Sequence, residues 1–193
     1  MTTVTVVKKE GRIAIAADTL TKWGNGKESA DYVTNHEKII CVGESYVAIT
    51  GSATFKLILA DYFSNLDAAP QLDSTGEIFR IWNAMHGALK EQYFLQTGED
   101  KEEDLESSRM DVLIANPRGI FGVAAHRTVQ EFSRFYAYGS GSPYALGAMY
   151  AAYRAPSYDA EAIARLGVAA AIEFHDESGL PIQSFSLAAQ EGV

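Results

Sequence analysis

The chain opens on a run of β-branched residues, Thr3-Val4-Thr5-Val6-Val7, which predicts a strand. A polar turn, Lys8-Lys9-Glu10-Gly11, separates it from Ile13-Ala14-Ile15-Ala16-Ala17, a second strand that ends at Asp18. Together they predict a hairpin at the start of the chain. A second hairpin is predicted from Lys38–Val42 and Tyr46–Ile49 around Gly43-Glu44-Ser45. Between the two hairpins, Thr19 to Glu37 is polar, contains Gly24-Asn25-Gly26 and shows no period, as expected of a turn-rich segment.

After four strands the period changes. Ile78, Ile81, Trp82, Met85, Leu89 and Tyr93 recur at helical spacing and predict an amphipathic helix. An earlier helix is predicted over Ala53 to Leu66, with Phe55, Leu59, Tyr62 and Phe63 on one side. Asp111–Ala115 and Ile120–Ala124 predict a third hairpin around Asn116-Pro117-Arg118-Gly119. Phe132 to Tyr138 reads as one further strand that leads into Gly139-Ser140-Gly141-Ser142-Pro143, with Ser142 as helix cap and Pro143 as first helical residue. A small-residue helix follows, then one capped by Asp159 with Ile163, Leu166 and Ala170, then a last strand over Ile182 to Leu187. Strands and helices in blocks predict an α+β protein, with antiparallel sheets and helices packed outside them. No repeat or linker divides the chain, so residues 1–193 are expected to form a single domain.

Composition narrows the function. The 193 residues carry 16 Lys+Arg against 25 Asp+Glu, a formal net charge of −9, which argues against nucleic-acid or anionic-membrane partners. The lone cysteine, Cys41, excludes an internal disulfide framework. No apolar run approaches the length of a membrane span, and Met1 to Lys9 lacks the pattern of a signal peptide, which together predict a cytoplasmic protein. The stretch Thr97 to Ser108 is crowded with acidic residues and is expected to be an exposed loop or a frayed helix end.

Conventional chemistry has little support. His36, His86, His126 and His175 show no metal-ligand spacing, and neither a P-loop, a dinucleotide fingerprint nor a true Gly-x-Ser-x-Gly elbow is present. The N-terminus carries more information. Thr2 follows Met1, and a small second residue permits removal of the initiator methionine. Thr2 would then offer a hydroxyl and an α-amine on one residue, and an unperturbed α-amine, with a pKa of about 7.7–8.0, suits general-base work at neutral pH. If the strands ending at Asp18 and starting at Lys38 are neighbours in one sheet, both side chains reach the start of the first strand. A lysine there would lower the pKa of the Thr2 groups, although an ordinary cross-strand ion pair fits the same spacing. The Gly51 amide is placed to serve as an oxyanion donor, or is simply part of a strand-to-helix turn.

These residues, together with Thr50-Gly51-Ser52-Ala53 and Gly139-Ser140-Gly141-Ser142-Pro143-Tyr144-Ala145, resemble the proteasome β-subunit and HslV-type family of N-terminal-nucleophile hydrolases over almost the whole chain. Within that family the chain is similar to the branch of proteasome homologues found in β-proteobacteria. The resemblance implies a four-layer αββα sandwich of two antiparallel sheets flanked by helices. It implies a threonine endopeptidase with Thr2 as nucleophile, Asp18 and Lys38 as the adjacent charge pair, the Gly51 amide as oxyanion donor, and Ser140 bonded to the Thr2 amine. Ile49 and Ala53 would line an apolar specificity pocket, and Ser178 matches a further family serine. No cofactor is required. A structural monovalent or divalent cation would lie on the carbonyls of Ile172, His175 and Ser178.

The implied assembly is a double ring of twelve or fourteen copies that cleaves unfolded polypeptides in its chamber, with an AAA+ unfoldase as a partner. Three departures stand out. The segment between Asp18 and Lys38 is longer than in HslV, which makes Lys27 a rival to Lys38. His175 occupies the family aspartate position unless a one-residue gap restores Asp176. The acidic stretch Glu99 to Glu106 either lines the pore or is a solvated loop. Two other readings stay open: a latent or structural ring subunit with Met1 retained, and an amidase of the same fold acting on a small amide.

Overall fold

The β-branched run forms β1 (Thr3–Lys9), which pairs antiparallel with β2 (Arg12–Ala17). The computed structural model describes residues 2–96 and 104–190. Two strands from the far end of the chain complete this first sheet: β10 (Phe135–Gly139) lies beside β1, and β11 (Gln183–Ala188) beside β2. The second sheet is continuous in sequence, β5 (Ile39–Val42), β6 (Ser45–Ile49), β7 (Val112–Asn116), β8 (Gly119–Val123) and β9 (Val129–Phe132), again antiparallel throughout.

Alternation along each strand sends successive side chains to opposite faces, and here both faces are buried. Val4, Val6, Ile13 and Ile15 of the first sheet meet Ile39, Ala48, Leu113 and Ile120 of the second to form the inter-sheet core. On the other face of the first sheet, Val7, Ala14 and Ala16 pack against α3 (Ser142–Ala152) and α4 (Ala160–Phe174) through Met149, Ile163, Ala164 and Val168. Val47, Ile49, Val112, Ile114 and Phe121 of the second sheet pack against Leu59 of α1 (Thr54–Ser64) and Ile78, Trp82, Met85 and Leu89 of α2 (Thr75–Glu91). The result is a four-layer αββα sandwich of two antiparallel sheets flanked by helices. No described helix is long and apolar enough to cross a membrane.

The structure corrects the sequence-based expectations at four places. The segment between Asp18 and Lys38 contains a small hairpin, β3 (Thr21–Trp23) with β4 (Gly26–Glu28). Strands of three residues are too short to display a period. Phe132 to Tyr138 is two strands, not one: β9 belongs to the second sheet, β10 to the first, and the chain crosses at Ser133-Arg134. The apolar pattern runs on through the crossing because Phe132, Tyr136 and Tyr138 all pack against the same inter-sheet core, with Phe132 and Tyr136 stacked at 4.3 Å. Gly141 is the cap of α3 and Ser142 its first residue, a shift of one position. Finally, β2 and β5 lie in different sheets, so Asp18 and Lys38 face each other across the sandwich rather than along one sheet. The Asp159 cap is as expected, its carboxylate accepting from the Ala162 amide. Of the acidic stretch, residues 99–103 lie outside the described residues.

Among the described residues Trp82 is the largest fully buried side chain, and its indole N–H has no partner there. Replacing it with alanine should cost about 3–5 kcal/mol in denaturant unfolding, the range for emptying a large aromatic site. Trp82→Phe should cost far less, since no hydrogen bond is lost. Phe79→Ala, on the exposed side of the same helix, should stay within about 0.5 kcal/mol of the parent.

Candidate active site

Asp18 ends β2 with its carboxylate fully buried, and every contact it makes is to a donor. Oδ1 accepts from the Thr3 amide at 2.9 Å and from Lys38 Nζ at 2.9 Å; Oδ2 accepts from the Leu20 and Gly179 amides at 3.1 Å each. A buried carboxylate is tolerated only when paired and hydrogen-bonded, and this one ties four chain segments together. Lys38 also donates to the Leu20 carbonyl at 2.6 Å. Burial pulls its ammonium below the ordinary lysine pKa; the charge and hydrogen bond of Asp18 oppose that, and the charge of Lys56 adds to it.

The cross-sheet position of Lys38 is fixed by backbone. Its amide and that of Ile39 both donate to the Gln183 side-chain oxygen on β11, at 3.1 Å each, which stitches the second sheet to the first beside the site. Lys27 takes no part in this cluster; it lies on β4, opposite Lys22 in the small hairpin.

Thr2 precedes β1 and is buried, one residue from the Asp18 contact. Ser178 reaches Thr3, not Thr2: the two hydroxyl oxygens are 2.7 Å apart. Gly141 permits that approach, because a Cβ there would fall 2.1 Å from Thr3 Oγ1 and 2.8 Å from Ala171 Cβ. The Ser140 hydroxyl is buried and has no hydrogen-bond partner among the described residues, and it lines the same cavity as Thr2. Gly51 holds φ +102°, a left-handed conformation that favours glycine, and its backbone lies against the Arg109 carbonyl.

Thr2 sits between two cavities, each of about 490 Å³. The first is lined by Lys38, Ile49, Gly51 and Ala53, and by Thr21, Trp23 and Lys56. The second is lined by Gly51, Arg109, Asp111, Tyr138 and Ser140. Burial raises the pKa of Asp111 and, with Asp111 and Tyr136 nearby, pushes that of Tyr138 up to about 12.

His175 closes α4 and its amide bonds to the Ala171 carbonyl. Its Nδ1 is buried with no partner among the described residues, whereas the Asp176 side chain is exposed and paired with Lys22. No one-residue gap therefore restores an inward aspartate. The His175 carbonyl accepts from the Ser178 amide at 3.3 Å.

A hydroxyl, an imidazole and a carboxylate assemble elsewhere: His86 contacts Ser108 Oγ at 2.9 Å and Glu106 at 3.2 Å, while Lys90 holds both Glu106 oxygens. Ser108 is 1% exposed, so no substrate reaches it. This cluster anchors the described end of the acidic stretch to α2. The sequence reading missed Thr21, Trp23, Lys56 and Gln183 at the site; a lysine in the first turn of the predicted first helix was the one available signal.

No family model and no curated protein matches the sequence. Solved structures do. The chain is 79% identical to Thiobacillus denitrificans BPH, covering 98% of this chain and all of that one, with a TM-score of 0.95. The same protein in complex with epoxomicin matches at 79% identity over the same shares, with a TM-score of 0.94. The eukaryotic HslV of Trypanosoma brucei shares the fold, with a TM-score of 0.67, 16% identity, and coverage of 96% of this chain and 99% of that one.

Asp18→Ala should leave the Lys38 ammonium and three amides without their partner, and cost about 3–5 kcal/mol in chemical unfolding. Burial holds His86 below its ordinary pKa of 6.5. The unfolded chain then binds more protons as pH falls through 6.5, so the fold should lose stability over that window and level off below the folded pKa. A His86→Gln variant should show a flatter melting temperature between pH 7 and 5.

Proposed function

The chain belongs to the family of the bacterial proteasome homologue BPH, and on that premise we propose that it is a threonine-type endopeptidase whose nucleophile is Thr2 once Met1 is removed. The Thr2 hydroxyl attacks the peptide carbonyl while its own α-amine takes the proton. Lys38, held by Asp18, favours the developing alkoxide, and the Gly51 amide receives the oxyanion. The C–N bond breaks, the proton passes from the amine to the leaving group, and water then hydrolyses the ester on Thr2 by the reverse use of the same amine. Ser140 accepts from that amine, and Ser178 acts at one remove by fixing Thr3.

The observation that carries this reading is the position of Thr2 between two open cavities. A peptide bond laid across the residue has room for chain on both sides, which favours an endopeptidase over an amidase of small amides. The epoxomicin complex of the relative supports the same reading, since a peptide epoxyketone reacts with a hydroxyl and a free amine on one residue.

The finer parts of the proposal follow from the family. The chain assembles as a double ring of twelve or fourteen copies, works in the cytoplasm on unfolded polypeptides, and relies on an AAA+ unfoldase for folded ones. The reaction needs no cofactor; the carbonyls of Ile172, His175 and Ser178 would hold a structural cation.

Intact mass before and after epoxomicin treatment tests the nucleophile: the expected result is loss of Met1 and one adduct per chain. Retained Met1 without an adduct would make the protein a latent ring subunit. Thr2→Ala should abolish peptide hydrolysis with assembly unchanged by light scattering. Lys38→Ala should lower kcat/KM by at least about a hundredfold, and Lys27→Ala by no more than about twofold. A monomer at high concentration would refute the ring.

A further inference from the structure

Three lysines line the first cavity beside Thr2, and they are held in different ways. Lys22 is paired with Asp176, and Lys38 with Asp18. Lys56, half-buried in the first turn of α1, donates to the backbone carbonyl of Asn35, which also lines the cavity. Among the described residues no carboxylate lies within ion-pair distance of it.

We propose that Lys56 sets the side-chain preference of the site, drawing an acidic residue, Asp or Glu, into the cavity on the acyl side of the bond cleaved at Thr2. The proposal rests on the peptidase reading above and specifies its substrate class.

Four physical arguments support it. A half-buried ammonium held by a neutral carbonyl gains more from an incoming carboxylate than one already ion-paired, because charge-assisted bonds are about twice as strong as neutral ones. Burial disfavours the Lys56 charge, with Glu37 as the opposing influence, so an anion arriving beside it relieves an existing cost. The first turn of α1 has no acidic residue and no side-chain cap, and the helix dipole there also favours an anion. Finally, Ile49 and Ala53 give the methylene stem of a glutamate an apolar wall to cover. Glu28 and Glu37 line the same cavity but are exposed, so water screens their repulsion. The purely apolar pocket that Ile49 and Ala53 suggest is therefore only one wall of this cavity.

The test compares fluorogenic peptides that differ only in the residue before the cleaved bond: Glu, Leu or Lys. The wild-type assembly should cleave the Glu peptide with kcat/KM at least equal to that for Leu and at least about tenfold above that for Lys, a gap of about 1.4 kcal/mol. Lys56→Met should lower the Glu-to-Leu ratio about tenfold, Lys56→Arg should keep it, and Lys56→Glu should shift the preference to the Lys peptide. An unchanged Glu-to-Leu ratio in Lys56→Met, with the Leu peptide still cleaved, would overturn the proposal. If the wild type cleaves none of the peptides, the peptidase reading fails instead, and the preference is read by calorimetry of product peptides ending in Glu or Leu. Tighter binding of the Glu product that Lys56→Met abolishes would uphold the role of Lys56, and equal binding of both would refute it.

Discussion

The carboxylate of Asp18 is the constraint on which the site depends. It lies in a fully buried position, where an unpaired charge is prohibitive, and it is satisfied only because the Thr3, Leu20 and Gly179 amides and the Lys38 ammonium all arrive around it. Each donor comes from a different part of the chain: the first strand, the entrance to the β3–β4 hairpin, the loop after α4, and the start of the second sheet. The carboxylate therefore sets the local geometry as much as it charges it. Thr2 is presented to the cavities because its neighbour is held at this point.

Asp18 also explains why the two sheets keep register at one end. Lys38 reaches it from the second sheet, and Gln183 of the first sheet receives the Lys38 and Ile39 amides in return. These contacts span the layer interface next to Thr2, while the rest of that interface is apolar side-chain packing with little directional preference. Polar contacts fix the position of the Thr2 end, and the hydrophobic layer supplies most of the cohesion.

Much of this was legible in the sequence, for reasons that can be named. The β-branched runs of β1 and β2 and the 3.6-residue period of α2 are long enough for local preference and burial to agree. Asp18, Lys38, Gly51 and Ser140 stood out because each ends or begins an element, where a side chain or amide can reach a neighbouring strand. Three-residue strands left no such mark, so β3 and β4 read as turns. The crossing at Ser133-Arg134 was hidden for the opposite reason: both flanking strands face one core and share one alternation. Lys56 looked like any helical lysine, since only the folded chain shows that its turn opens on the Thr2 cavity. Ser178 was legible as a member of the site but not as the partner of Thr3, because that contact joins positions 175 residues apart.

The order of strands has a consequence for timing. The strand that follows Thr2 is an inner one, flanked by β2 from its own end of the chain and by β10 from the other. Ser178, which bonds Thr3, and Gly179, which donates to Asp18, come later still. A ribosome exposes the threonine well before β10 and Ser178. During synthesis the emerging N-terminus therefore has no β10 beside it and no Ser178 seated on Thr3. The surroundings of Thr2 are therefore assembled only when the chain is nearly complete, a delay that comes from the strand order.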